Sequence, residues 1–355
     1  MSHRETPIVQ RIGFTRLSSD SSQGIPPQVN IILVHGLRGH PQATWEYRQS
    51  ELNTRLAEKL RKRDRLKAIW RHQHTVSIRT SVSEEDITED WEPSSTERVF
   101  WPREYLLEDM SEAEVWTYGY NADVIGGLFQ ANNRNSISQH GQDLAVKLER
   151  VIDNQLPIIF VAHSLGGIVV KDAIRRSEYC QSHTKLIVFL GTPHRGSASA
   201  GWGVVASNFA KLALQDSNKR IVQTLAPNSE VLDNIHDEFL KIVVRGRIKI
   251  HSFQEAKAVS GITGLDGKVV DDYSSKVGLP PYETVESIDG NHMEMARCKD
   301  KTDPRYQAIV GVLKHFFRSS ILSSGHVKAQ GPGLATQKES LGGISFDRTG
   351  VGRGS

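Results

Sequence analysis

The chain has 355 residues, 38% of them hydrophobic and 24% charged, enough apolar side chain for one large domain or two small ones, which excludes a wholly disordered polypeptide. Its 44 basic and 41 acidic residues leave a formal charge of +3, so nothing in the balance demands a nucleic-acid partner. Two cysteines, Cys180 and Cys298, are too few for a disulfide framework or a zinc cluster and read as reduced thiols.

Residues 1–29 form an N-terminal segment. Its start is charged and polar and lacks the apolar stretch of a secretory signal. Residues 18–28, rich in Ser, Gly and Pro, read as a loop. Asn30 to Gly36 is short, apolar and β-branched, and a glycine ends it: a buried parallel strand. Residues 51–71 follow a helical pattern that is basic on one side, and the Arg61–Arg65 run reads as a solvated face rather than a phosphate site. His72 and His74 have no third ligand nearby, so no metal or other cofactor is expected. Residues 72–98 read as an exposed insertion, acidic and poor in apolar side chains.

From Val115 to Val188 strands and helices alternate. Strands are expected at 115–118, 157–162 and 185–190, and helices at 139–153 and 166–176. The apolar run 156–170 is shorter than the about 20 residues of a membrane-spanning helix and carries His163 and Ser164, so it belongs to a core. Residues 198–240 are helical in pattern and are expected to cap the C-terminal edge of the sheet, where ligands bind in such folds. Two more strands follow at 247–253 and 284–288. Asp303-Pro304 then starts a helix, the aspartate as cap, with Tyr306, Ile309, Leu313 and Phe316 as its apolar stripe. Residues 321–355 read as a disordered tail. The expected fold class is α/β, with a mostly parallel central sheet, helices on both faces and a helical cap inserted in a single domain spanning 30–320.

Phe160 to Val170 carries the chemistry. A strand runs into a serine, Ser164, and then into a helix, so the hydroxyl sits on a sharp turn and projects from the sheet. Such a turn needs small residues two before and two after the serine, here Ala162 and Gly166; Ala162 stands where glycine is usual. The helix start favours negative charge, so the N–H of Leu165 is an expected oxyanion donor, with the N–H of Leu37 after the first strand as the second. A serine hydroxyl needs a base, and in this element order the partners follow as serine, acid, histidine. His292, in the turn after the last strand, fits the base. His315 lies within a helix pattern, His194 precedes the expected acid and is read as structural, His163 as packing, and His251 as a core histidine inside a strand. The acid is open among Glu255, Asp271 and Asp266, taken in that order.

Together these segments resemble the serine-active-site-containing proteins, a branch of the α/β-hydrolases related to the GPI-inositol deacylases, whose fungal forms often precede a NACHT or NB-ARC module. The pieces that carry the resemblance are Leu33–Gly39 with Thr44-Trp45, Phe100–Glu104, Thr117–Tyr120, Val161–Gly167, Phe189–Gly196, Ser252–Glu255, Val269–Asp271, Asn291-His292 and Asp303–Tyr306, in family order from about residue 30 to residue 316. The family's serine and histidine fall on Ser164 and His292, and its Ser-Phe-Tyr-Glu-like segment favours Glu255. Gln254 departs from the usual aromatic, and Asn291 stands where an acid commonly precedes the histidine. No phosphate-binding loop follows. The resemblance implies a serine esterase or lipase acting on small-molecule or lipid-like esters. It also implies an intracellular, cytoplasmic location with peripheral association at endoplasmic reticulum or mitochondrial membranes. Fusion to signalling modules in relatives implies the alternative, a low-turnover hydrolase-fold sensor or scaffold.

Overall fold

The structure, a computed structural model, describes residues 8–18, 26–49, 98–122, 135–196, 202–214, 229–262, 264–265 and 267–322. The expected helix at 51–71, almost all of the insertion at 72–98, the tail beyond 322 and Asp266 lie outside the described residues, as do 198–201 and 215–228 of the expected cap. The chain divides into two compact units, 1–315 and 316–355. Of the second, the description reaches only a helix end and a π-helical turn, Phe317–Leu322.

The first unit is built on a seven-stranded sheet. Its central strands are β2 (Val29–Val34), β6 (Ile158–His163) and β7 (Thr184–Leu190). β2 and β6 are buried at every residue, as parallel strands covered on both faces must be. They are flanked by β5 (Ala113–Gly119), β8 (Lys249–Glu255) and β9 (Glu283–Ile288). β9 is a sheet edge and exposes Thr284 to Ser287, which explains why its polar sequence gives the weakest strand signal. β1 (Gly13–Arg16), inside the segment set apart as 1–29, pairs antiparallel with β5, its Phe14 opposite Tyr118. All other neighbours in the sheet are parallel, in the order β1-β5-β2-β6-β7-β8-β9. The chain leaves β2 toward β5 on one side and returns to β6 on the other. The crevice outside the carboxyl ends of β2 and β6 is therefore the topological switch point, the usual ligand position in an open α/β sheet. This is the α/β-hydrolase architecture expected from the sequence. A separate antiparallel pair, β3 (Glu46–Arg48) with β4 (Arg98–Phe100), was not expected.

A π-helical turn, Pro102–Leu106, and the short α1 (Leu107–Asp109) lead into β5. α2 (Asn135–Val151) turns Leu144 and Leu148 toward Val170 and Ile174 of α3 (Gly166–Arg176) in the core beside β6. The four-residue spacing of the α2 pair produces this stripe. The short α4 (Glu178–His183) had no sequence forecast. It starts because the Ser177 side chain accepts from the Cys180 N–H at 3.1 Å, an N-cap.

The 198–240 stretch contains α5 (Trp202–Leu214) and the start of α6 (Ser229–Gly246). Trp202, Val205, Ala206 and Phe209 of α5 pack with Leu165, Ile168, Val259, Ile262, Leu265, Val269 and Val270 in a second apolar cluster. α6 spans both clusters: Leu232 and Ile235 join the second, whereas Phe239, Ile242 and Val243 join the core of the sheet. α7 (Pro304–Phe316) begins as forecast, with Asp303 accepting from the Arg305 N–H at 3.0 Å. Its Tyr306, Ile309 and Leu313 are buried. Among the described residues no helix is long and apolar enough to cross a membrane.

Candidate active site

β6 ends at His163, and the next residue takes a left-handed backbone, φ 57° at Ser164. A non-glycine residue held there costs about 1–3 kcal/mol and persists only where its surroundings enforce it. Here the Ser164 N–H donates to the Leu190 carbonyl at 2.8 Å, and the Ser164 carbonyl accepts from Gly167 N–H at 3.1 Å and the Thr192 hydroxyl at 2.9 Å. Two glycines make the turn sterically possible. A Cβ on Gly36 would stand 2.5 Å from the Ser164 Cβ, and one on Gly166 would collide with the His35 carbonyl. Ala162, the departure from the glycine pattern, is accommodated as a fully buried strand residue.

His292 enters from the turn after β9. Asn291 shapes that turn: its side-chain oxygen accepts from the N–H groups of Met293 and Glu294, both at 3.0 Å. An amide oxygen does here what a carboxylate would, so the departure at 291 keeps the turn. The His292 Nε2 lies 3.0 Å from the Ser164 Oγ, and its Nδ1 lies 2.8 Å from Glu255 Oε1.

Glu255 is the last residue of β8. Besides the imidazole it accepts from the Val269 N–H and the Val270 N–H, each at 3.0 Å. An ionised carboxylate can only accept, so Nδ1 carries the ring proton; in the neutral ring Nε2 is then free to accept from the Ser164 hydroxyl. All three side chains are closed from solvent, Ser164 at 2%, His292 at 1% and Glu255 at 1% exposure. Phe209 of α5 stands edge-on to the His292 ring at 5.4 Å. This arrangement is able to pass a proton from hydroxyl to imidazole while a buried carboxylate offsets the charge that forms.

Leu165 opens α3, and Leu37 follows Gly36 in the loop after β2. No hydrogen bond between described residues uses the N–H of either. The Leu37 loop is held by its neighbours. Arg38 N–H donates to the Ala122 carbonyl at 3.0 Å, and Tyr120 stacks on His35 at 4.4 Å while its hydroxyl donates to the His35 carbonyl at 2.9 Å.

The remaining candidates lie elsewhere. Asp271 accepts from Tyr273 N–H, Ser274 N–H and the Ser274 hydroxyl and so closes its own turn. His315 lies in α7 and His251 in β8, 3.3 Å from Glu286. His194 is fully buried beside Lys171. The lysine Nζ lies 3.4 Å from His194 Nδ1 and 3.0 Å from His236 Nδ1. Burial pulls the Lys171 amine down to about 7 and His236 to about 3, and it holds His194 well below its ordinary value. A cavity of about 500 Å³ borders the 293–305 segment, with Arg48, Lys257 and Met293 in its wall, and does not include Ser164 or His292.

His163 corrects the sequence reading. It was expected to pack only, yet its Nε2 lies 2.8 Å from the His292 carbonyl oxygen. Burial first, and the nearby His292 second, lower His163 to about 3, so the ring is neutral and donates from Nε2. Two further donors to the same loop were also missed: Trp101 Nε1 to the Ala296 carbonyl at 2.9 Å, and Arg305 Nη1 to the Glu294 carbonyl at 3.1 Å. The signal was indirect. A buried polar side chain must find a partner, but sequence does not say which.

No protein-family model matches the chain. Among curated proteins it is similar to Protein SERAC1 of Danio rerio, 24% identical over 285 residues, covering 78% of this chain and 37% of that protein. It is similar too to Protein SERAC1 of Homo sapiens, 22% identical over 296 residues, covering 79% of this chain and 38% of that protein. The chain thus spans less than two fifths of the length of these relatives. Among solved structures it is similar to the lipase BlEst2 of Bacillus licheniformis in mature form, with TM-score 0.47 and 14% identity over 85% of this chain and 97% of that one. A second is olei00960, a hydrolase from Oleispira antarctica, with TM-score 0.42 and 12% identity over 87% of this chain and 96% of that one.

Proposed function

We propose that this chain, an α/β-hydrolase by fold whose curated relatives are SERAC1 proteins, is a serine hydrolase that cleaves or transfers acyl esters. The observation that carries the reading is the hydrogen-bonded line Ser164–His292–Glu255, at 3.0 and 2.8 Å, on a serine forced into a left-handed backbone at the switch point of the sheet.

In this reading the reaction runs in two halves. The Ser164 Oγ attacks the ester carbonyl carbon while His292 Nε2 takes the hydroxyl proton. Glu255 holds the ring by Nδ1 and stabilises its cation. The carbonyl oxygen becomes an oxyanion that the N–H groups of Leu165 and Leu37 receive, neither having another acceptor among the described residues. Collapse expels the alkoxide, which takes the proton from His292, and leaves an acyl group on Ser164. Water or another alcohol then attacks that acyl group with His292 again as base, giving acid or new ester and restoring the hydroxyl.

The apolar cluster beside Ser164, with Leu165, Ile168, Trp202 and Phe209, supports an apolar, lipid-like acyl group. In this reading α5 and the start of α6 belong to the cap, and peripheral membrane association would bring it to such esters. The closure of Ser164 and His292 from solvent is what favours a second reading, a scaffold with little turnover. Steady-state hydrolysis of p-nitrophenyl esters of rising acyl length separates the two. Saturable turnover abolished in Ser164→Ala supports the enzyme. No turnover by the intact, folded chain at any acyl length leaves the scaffold.

A further inference from the structure

Two of the segments behind the family resemblance, Phe100–Glu104 and Asp303–Tyr306, have no part in the mechanism above. They converge on one loop. The carbonyls of His292, Glu294 and Ala296, alternate residues, accept from three side chains on three different elements. These are His163 Nε2 at the end of β6 (2.8 Å), Arg305 Nη1 at the start of α7 (3.1 Å) and Trp101 Nε1 just after β4 (2.9 Å).

Each donor is itself fixed. Asp303 holds Arg305 by a two-point pair, Nε to Oδ1 at 2.9 Å and Nη2 to Oδ2 at 2.6 Å, a fork that leaves one guanidinium nitrogen aimed at Glu294. Trp101 is fully buried, edge-on to Trp45 at 6.1 Å and to Tyr306 at 5.8 Å. Trp45 in turn meets the His163 ring at 6.4 Å. His163 adjoins Ser164, so its bond to the His292 carbonyl spans the nucleophile's strand and the base's loop directly.

We propose that His163, Trp101 and Arg305 are positioning residues for the reaction, holding the backbone of the 292–296 loop so that the His292 ring stays between Ser164 and Glu255. This rests on the hydrolase reading. Misplacing a reacting group by about 1 Å costs on the order of 10²-fold in rate, so loosening this loop acts on the chemical step and not on substrate binding.

The test is kinetic, on the full chain, with a short p-nitrophenyl ester. His163→Leu removes the donor, His163→Gln keeps an N–H at the same reach, and Trp101→Phe removes Nε1 while keeping a ring. The expected result is that His163→Leu and Trp101→Phe each lower kcat about 10- to 100-fold with KM changed less than about twofold, whereas His163→Gln stays within about threefold of the parent. Parental kcat in folded His163→Leu and Trp101→Phe, or a His163→Gln as impaired as His163→Leu, would overturn the inference and leave the hydrolase standing. If His163→Leu does not fold, Trp101→Phe decides alone. A parent chain with no Ser164-dependent turnover defeats the hydrolase reading itself, and the inference falls with it.

Discussion

Two buried clusters of titratable side chains flank α3, and they differ instructively. On one side Lys171, in the middle of the helix, meets His194 and His236 in the core; before its first residue, Ser164, His292 and Glu255 meet at the C-terminal edge of the sheet. Both are sealed from water, and both place a side-chain donor within hydrogen-bond reach of an imidazole nitrogen. In the first the partner is an amine pulled to about 7 by burial, and among the described residues no carboxylate joins the hydrogen-bonded group and His194 Nε2 has no partner. In the second a carboxylate with two backbone N–H donors orients the ring, and backbone strain exposes the hydroxyl to it. Burial and proximity alone make a structural knot. Direction is what the proposed reaction needs, with acceptor, ring and hydroxyl in order.

The strongest break of this contrast is substitution within each cluster. Ser164→Ala or His292→Ala should lower ester turnover by about 10⁴-fold or more. Lys171→Met should leave turnover within about threefold while costing about 1–3 kcal/mol in denaturant unfolding, since two buried imidazole acceptors lose their donor. Equal losses of turnover in both clusters would erase the distinction. Glu255→Gln comes next. An amide neither stabilises the imidazolium nor selects the tautomer, so kcat should fall about 10²- to 10⁴-fold with KM little changed. Gly166→Ala tests the strained turn: the new methyl meets the His35 carbonyl, and urea unfolding should show a loss of about 1–3 kcal/mol.

The most gradual effect is on pH. His163 and His236 sit near 3 in the folded chain, against 6.5 unfolded. The unfolded state therefore binds more protons between those values, so their contribution is complete above about pH 6.5 and is lost as pH falls toward 3. Melting temperature should decline across that window, each group contributing at most about 1.4 kcal/mol per pH unit. His163→Gln, which does not titrate, should flatten the decline. An unchanged slope would mean that His163 is not held neutral.

Much of this contrast was legible beforehand. The central strands announce themselves as unbroken apolar runs, and Ser164 and His292 stand out because a strand–serine–helix junction and a late turn histidine are local patterns. Glu255 could be ranked but not chosen over Asp271 or Asp266, because what separates them is distant: the Val269 and Val270 N–H groups reach back to Glu255, while Asp271 spends its oxygens on its own turn. β1 escaped notice because its four residues have meaning only against β5. His163, Trp101 and Arg305 escaped for the same reason; each donates to a carbonyl far along the chain, and no periodicity encodes such a bond.

The central claim is that the Ser164 hydroxyl is activated by His292. A fluorophosphonate probe, followed by intact-mass and peptide analysis, tests it most directly. The account predicts one adduct, on the peptide that carries Ser164, formed far more slowly in His292→Ala. A folded chain that takes up no probe, or takes it up at the same rate without His292, would contradict it.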